Sequence, residues 1–87
     1  MKYYIITLLG TYGSRDLHLF CSLYYENGEE YSWQIGYENV IAFSRKKDAM
    51  KFIEDVSVIG VLKVEKVFLK GVAHHLFNPR FKWKQSQ

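Results

Sequence analysis

The segment Lys2–Leu9 is built from aromatic, β-branched and aliphatic residues and closed by Gly10, Thr11, Tyr12, Gly13 and Ser14, so it reads as a strand. It is apolar on both sides: Tyr4, Ile6 and Leu8 line one face, and Tyr3, Ile5 and Leu9 the other. A strand with two apolar faces must lie inside its sheet and be covered above and below. The chain has 87 residues, room for one core and no more, so this strand must sit at its centre. No Ala-x-Ala-type cleavage site follows it, and the opening reads as this strand, not as a secretory leader. No run approaches the ~18 apolar residues of a membrane span.

A hairpin follows. Leu17, Leu19, Cys21, Leu23 and Tyr25 alternate along residues 17–25, and Tyr31, Trp33, Ile35 and Tyr37 along 29–37. Between them Glu26, Asn27, Gly28 and Glu29 form a turn signal. A two-residue Asn27-Gly28 loop would set Glu26 against Glu29 and face apolar positions with polar ones. A three-residue loop with a left-handed Gly28 instead pairs Tyr25 with Glu29, Leu23 with Tyr31, Cys21 with Trp33, Leu19 with Ile35 and Leu17 with Tyr37. Every large apolar residue then shares a face, which favours this type I turn with a bulge.

Ser44 is placed to cap a helix whose Ala49, Phe52, Ile53 and Val56 fall at i, i+3, i+4 and i+7. Arg45, Lys46 and Lys47 open this helix and Glu54 and Asp55 close it, against the preference of the helix dipole, so packing must hold it. Val58–Gly71 reads as a fourth strand whose apolar phase breaks near Glu65 and Lys66, predicting a bulge there. The expected fold is α+β, in the order β-β-β-α-β. Four strands form a mixed sheet ordered 4-1-2-3, the last parallel to the first, with one helix on one face. Residues 1–71 make the domain and 72–87 a C-terminal extension. The face away from the helix then carries Phe20, Tyr24 and one apolar set of the first strand. It calls for cover, either from the extension or from a second copy packed sheet on sheet.

Chemistry is sparse. There is no P-loop, no Gly-x-Ser-x-Gly, no His-Glu-x-x-His and no dinucleotide fingerprint. Cys21 and His18 stand three apart on a strand and point to opposite faces, so they cannot form a nucleophile pair. One cysteine excludes an internal disulfide and a cysteine zinc cluster, and a reducing cytoplasm is the simplest setting. His18, His74 and His75 lack ligand spacing. A non-enzymatic protein without metal or cofactor is the expectation.

The net charge of +3 hides an asymmetry. Residues 1–44 set two cations against five acids, net −3, and hold all seven tyrosines; residues 45–87 set ten cations against four acids, net +6. Two binding readings follow. Tyrosine is enriched in protein interfaces, which makes Phe20, Tyr24, Tyr12 and Tyr25 candidates for contact with a protein partner or a second copy. The basic half offers Lys70, Arg80, Lys82, Trp83 and Lys84, with Phe77 and Phe81 interleaved, and Arg45, Lys46 and Lys47 at the helix start. Cations for phosphates and rings for unpaired bases are what nucleic-acid contact requires. The same alternation describes a peripheral strand with an apolar inner face.

Val40, Ile41, Ala42, Phe43 and Ser44, followed by Lys47, Asp48, Ala49, Met50, Lys51 and Phe52, resemble a pattern in small uncharacterised α+β proteins of phages and prophages. There, a strand ending in Phe leads into a helix that presents Ala-x-x-Phe to the sheet. The resemblance is close over residues 40–56 and loose over 2–70. It implies an accessory protein that binds a host or phage macromolecule, in some cases against host defence. It carries no common activity and no functional residues. The inhibitors of that kind that mimic DNA are strongly acidic, and this chain departs from them.

Overall fold

The computed structural model describes residues 2–11, 13–24, 28–56, 58–80 and 82–85, apart from the side chains at 24, 28 and 29. Its elements are β1 (Lys2–Leu8), β2 (Leu17–Tyr24), β3 (Gly28–Gln34), β4 (Val40–Ala42), α1 (Lys46–Glu54), β5 (Leu62–Phe68), β6 (His74–Leu76) and β7 (Lys82–Gln85). Among the described residues the fold is α+β with one helix, but with seven strands where four were expected. They run in the order β5-β1-β2-β3-β7, with β4 joined to β2 and β6.

β1 lies inside the sheet as its two apolar faces require, with β5 on one side and β2 on the other. The segment after the helix does lie beside β1, but antiparallel to it and not parallel. The difference comes from β4, a three-residue strand between hairpin and helix that was not separated from its neighbours in sequence. β4 pairs antiparallel with β2 through Phe20–Val40, and Phe43 beyond it exchanges two backbone hydrogen bonds of 2.8 Å with Tyr4. In a flat sheet one strand cannot run antiparallel to two strands that are antiparallel to each other. β1 and β2 therefore part after Thr7–His18 and Leu8–Leu17, and the sheet bends to admit β4.

Where the length led us to expect a single core, the buried residues form two clusters, one on each side of the bent sheet. On the helix side, Ile6, Leu19, Tyr31, Ile41, Phe43, Ala49 and Phe52 are buried together. On the other side, Ile5, Val40, Ala42 and Leu69 are buried with Tyr3, Val67 and Val72 against them. Alternate residues of β4 thus serve opposite cores, Ile41 one and Val40 and Ala42 the other. The face expected to need a second copy or the extension is in part covered by the protein's own β4 and the segment after β5. The start of the extension reaches that face, with Val72 packed on this core and the His74 ring 5.0 Å from Tyr3, while its aromatic part goes elsewhere. β6 pairs in parallel with β4, β7 pairs in parallel with β3, and Phe77 and Trp83 pack into the helix-side core.

Three local expectations are corrected. The hairpin pairs Leu19 with Trp33 and Cys21 with Tyr31, then shifts at a bulge to Leu23–Glu30 and Tyr24–Glu29. Up to Cys21 this is a two-residue slip from the register expected, and beyond the bulge a one-residue slip. A two-residue slip preserves which face each side chain takes, so alternation cannot detect it. The observed register leaves Leu23, Ile35 and Tyr37 exposed at 50%, 51% and 43%. The turn residues 25–27 lie outside the described residues. Ser44 does not cap the helix; Arg45 is the N-cap, without a side-chain cap bond, and its guanidinium reaches Asp48 at 3.7 Å. An ion pair across the first turn relieves part of the adverse charge order. Finally, β5 has no bulge, because its ladder with β1 is unbroken from Lys2–Phe68 to Leu8–Leu62. The apolar phase changes because Leu62 and Val64 serve the helix-side core and Val67 the other.

The second side also buries a polar pair. The Thr7 hydroxyl lies 3.0 Å from Nδ1 of His18, and the imidazole stacks on Tyr37 at 4.4 Å. Burial lowers the His18 pKa from its ordinary 6.5, opposed by the negative charges of Glu65 and Asp16. The unfolded chain therefore takes up this proton first as pH falls. His18 leaves stability intact above 6.5 and reduces it below, until the folded imidazole also protonates. Urea midpoints should be lower near about pH 5 than near about pH 7.5, and His18→Gln should flatten part of that difference.

Candidate binding cleft

α1 presents Asp48, Lys51 and Phe52 at steps of three and four residues on one helical stripe, continued past its end by the C-cap Asp55 and by Val56. Opposite this stripe stand Tyr31 of β3, Phe77 and Pro79 from the β6–β7 link, and Trp83 of β7. Together they line a cleft of about 290 Å³. The link is shaped by Asn78, whose side-chain oxygen accepts the backbone N–H of Arg80 at 2.9 Å.

Phe52 forms the floor, edge-on to Tyr31 at 5.3 Å, Phe43 at 5.6 Å, and Phe77 and Trp83 at 5.9 Å each. Phe77 and Trp83 stack with 17° between their planes, and Phe77 lies 4.5 Å from Phe43. Offset and edge-to-face contacts of this kind add about 0.5–1.5 kcal/mol per pair beyond area burial. The wall is therefore held in place from behind. Among the described residues, the buried indole N–H groups of Trp33 and Trp83 find no hydrogen-bond partner.

The polar rim holds two carboxylates, Asp48 and Asp55, and the ammonium of Lys51. Burial raises the pKa of Tyr31, and the negative charge of Asp55 raises it further, so the phenol stays neutral and feels the field of Asp55. Asp48 is engaged by Arg45. Among the described residues, no cluster of three or more His, Cys, Asp or Glu could hold a metal ion. Cys21 packs against the helix-side core, whereas His18 sits with Thr7 and Tyr37.

Of the binding residues singled out in the sequence, Trp83 and the interleaved Phe77 line this cleft. Lys82 and Lys84 are exposed on β7, Lys70 in the turn after β5 and Arg80 in the Asn78 turn; Arg45, Lys46 and Lys47 are exposed around the first turn of α1. These cations are spread over separate elements. Phe77 and Trp83 are stacked on each other inside the protein, which occupies rings proposed to stack on bases. Phe20 is half-buried between Ser32 and Val40, and Tyr24 pairs with Glu29 at the end of β2. Tyr12, Tyr25 and Phe81 lie outside the described residues. Tyr31, Asp48, Lys51, Phe52, Asp55 and Phe77 were not recognised as one site. The apolar stripe read from sequence, Ala49, Phe52, Ile53 and Val56, shares only Phe52 and Val56 with the cleft, and the opposite wall exists because β7 returns to β3.

No helix among the described residues is long and apolar enough to cross a membrane. Comparison of the chain with protein-family models, with curated proteins and with solved structures finds no match.

Proposed function

We propose that this chain is a non-enzymatic binding protein whose cleft beside α1 receives a lysine or arginine side chain of a protein partner. The observation that carries this reading is an aromatic wall of Tyr31, Phe52, Phe77 and Trp83 under a rim holding Asp48 and Asp55. Aromatic faces attract a cation by about 0.5–1 kcal/mol when exposed and ~2 kcal/mol when water is excluded. At about 290 Å³ the cleft suits one long side chain better than a cofactor. Lys51 can turn its ammonium to solvent on its four-carbon stem while the stem stays against the wall. The resemblance of residues 40–56 to phage accessory proteins fits a host or phage protein as the partner.

Titrating the ¹⁵N-labelled protein with the N-acetyl methylamides of lysine, arginine, norleucine and glutamate tests this. The two cations should shift the Trp83 indole resonance and the amides of residues 51–56 at concentrations where norleucine and glutamate do not. The double variant Asp48→Asn/Asp55→Asn should weaken that binding by about tenfold. Equal response to glutamate, or shifts mapping elsewhere, rejects the cleft as a cation site.

A further inference from the structure

β5 ends the strand order, and among the described residues its one strand partner is β1. The N–H of Leu9 bonds the carbonyl of Val61 at 2.9 Å, in the same register as the rest of the ladder. In an antiparallel ladder the bonding alternates, so Lys63, Glu65 and Val67 aim their backbone groups at β1. Leu62, Val64, Lys66 and Phe68 aim theirs away from the sheet. Such edges are commonly blunted by a proline, a bulge or a covering segment. β5 has no proline and no bulge, and Val61 and Phe68 at its two ends are 62% and 69% exposed. Its remaining guards are Lys63 and Lys66, and register decides whether these repel a neighbour.

We propose that β5 pairs antiparallel with β5 of a second copy, about a two-fold axis through Val64. Because the outward backbone groups belong to even-numbered residues, a second β5 must set even positions against even positions. A two-fold through Lys63, Glu65 or Lys66 places each of those charges directly opposite its own copy, which is unfavourable. Axes nearer either end pair at most three residues of the strand. Through Val64, Lys63 faces Glu65 of the second copy and Glu65 faces Lys63. Leu62 then faces Lys66, Val61 faces Val67, and Phe68 faces Gly60, which has no side chain to meet the ring. Lys63 and Glu65 fall at the non-hydrogen-bonded positions, where opposed side chains come closest. They are already 3.6 Å apart within one copy, so the dimer forms a cluster of four charges of alternating sign. One strand thus supplies both halves of a complementary edge, which favours a second copy over an unrelated strand. The charges, which as isolated lysines would guard the edge, instead fix its register.

Sedimentation equilibrium of the full chain tests the proposal. The protein should form a dimer. Glu65→Lys makes both symmetry-related pairs repulsive and should weaken dimerisation roughly tenfold or more. The swapped variant Lys63→Glu/Glu65→Lys should restore it, since complementarity is kept. Lys66→Pro removes an outward N–H and no bond to β1, and should leave a folded monomer by circular dichroism. A protein monomeric up to millimolar concentration overturns the proposal. So does a dimer indifferent to Glu65→Lys and Lys66→Pro, because its interface lies elsewhere. Neither result bears on the cation titration of the cleft, which is read on different residues.

Discussion

Phe43→Ala is expected to lower the unfolding free energy by about 3–5 kcal/mol, the usual cost of replacing a buried Phe with Ala. Phe43 is fully buried, and its ring touches both Phe52 and Phe77. Its backbone also joins the end of β4 to β1 through the pair of bonds with Tyr4. The ring therefore sits where sheet, helix and C-terminal segment meet, and no one neighbour can collapse into the space it leaves. A chain of this length has about 4–13 kcal/mol of stability in all. The variant should show a urea midpoint greatly lowered at unchanged slope, or be unfolded in buffer. Phe43→Leu, which keeps most of the volume, should cost less than half as much. Equal stability of Phe43→Ala and the native chain would mean that this ring does not hold sheet, helix and C-terminal segment together.

The second large effect is expected from removing residues 72–87. By sequence this segment is a basic, aromatic extension; in the structure it contributes β6, β7, Phe77 and Trp83. Its loss strips the edges of β3 and β4 and uncovers one side of Phe43 and Phe52. Losing two half-buried aromatic side chains alone should cost about 3 kcal/mol or more. The fragment 1–71 should therefore lose cooperative unfolding and near-ultraviolet circular dichroism, and Trp83→Ala should produce a smaller part of the same loss. A fragment with the native urea midpoint would show that the segment decorates the fold and does not complete it.

The central strand, the hairpin and the helical stripe were legible because each is written in local periodicity. Tyr3 and Tyr4 with Ile5 and Ile6 demand cover on both faces whatever lies around them. Leu19, Cys21, Tyr31 and Trp33 share a face in any register of even slip, and Ala49 and Phe52 face the sheet in any helix that contains them. The misreadings share one origin. A two-residue slip in the hairpin changes no face, so pattern could not choose between registers, and the bulge after Cys21 was invisible. Val40–Ala42 is too short and too uniformly apolar to show a period, so it drops out of the expected order although the resemblance of residues 40–56 implies a strand there. Missing β4 then reversed the expected direction of β5 and left the second face bare.

The cleft shows the same division. Asp48, Lys51 and Phe52 are one helical face by spacing alone, and Phe77 and Trp83 were noted as aromatic residues that needed a role. That these two sets meet depends on β7 pairing with β3, a contact between residues more than fifty apart in the chain. Local sequence determined which surfaces of each element are apolar, because side-chain direction follows backbone period. Which apolar surfaces meet, and which edge stays open at β5, was decided by tertiary structure. Many pairings satisfy the same periodicity, and only the bend that admits β4 distinguishes among them.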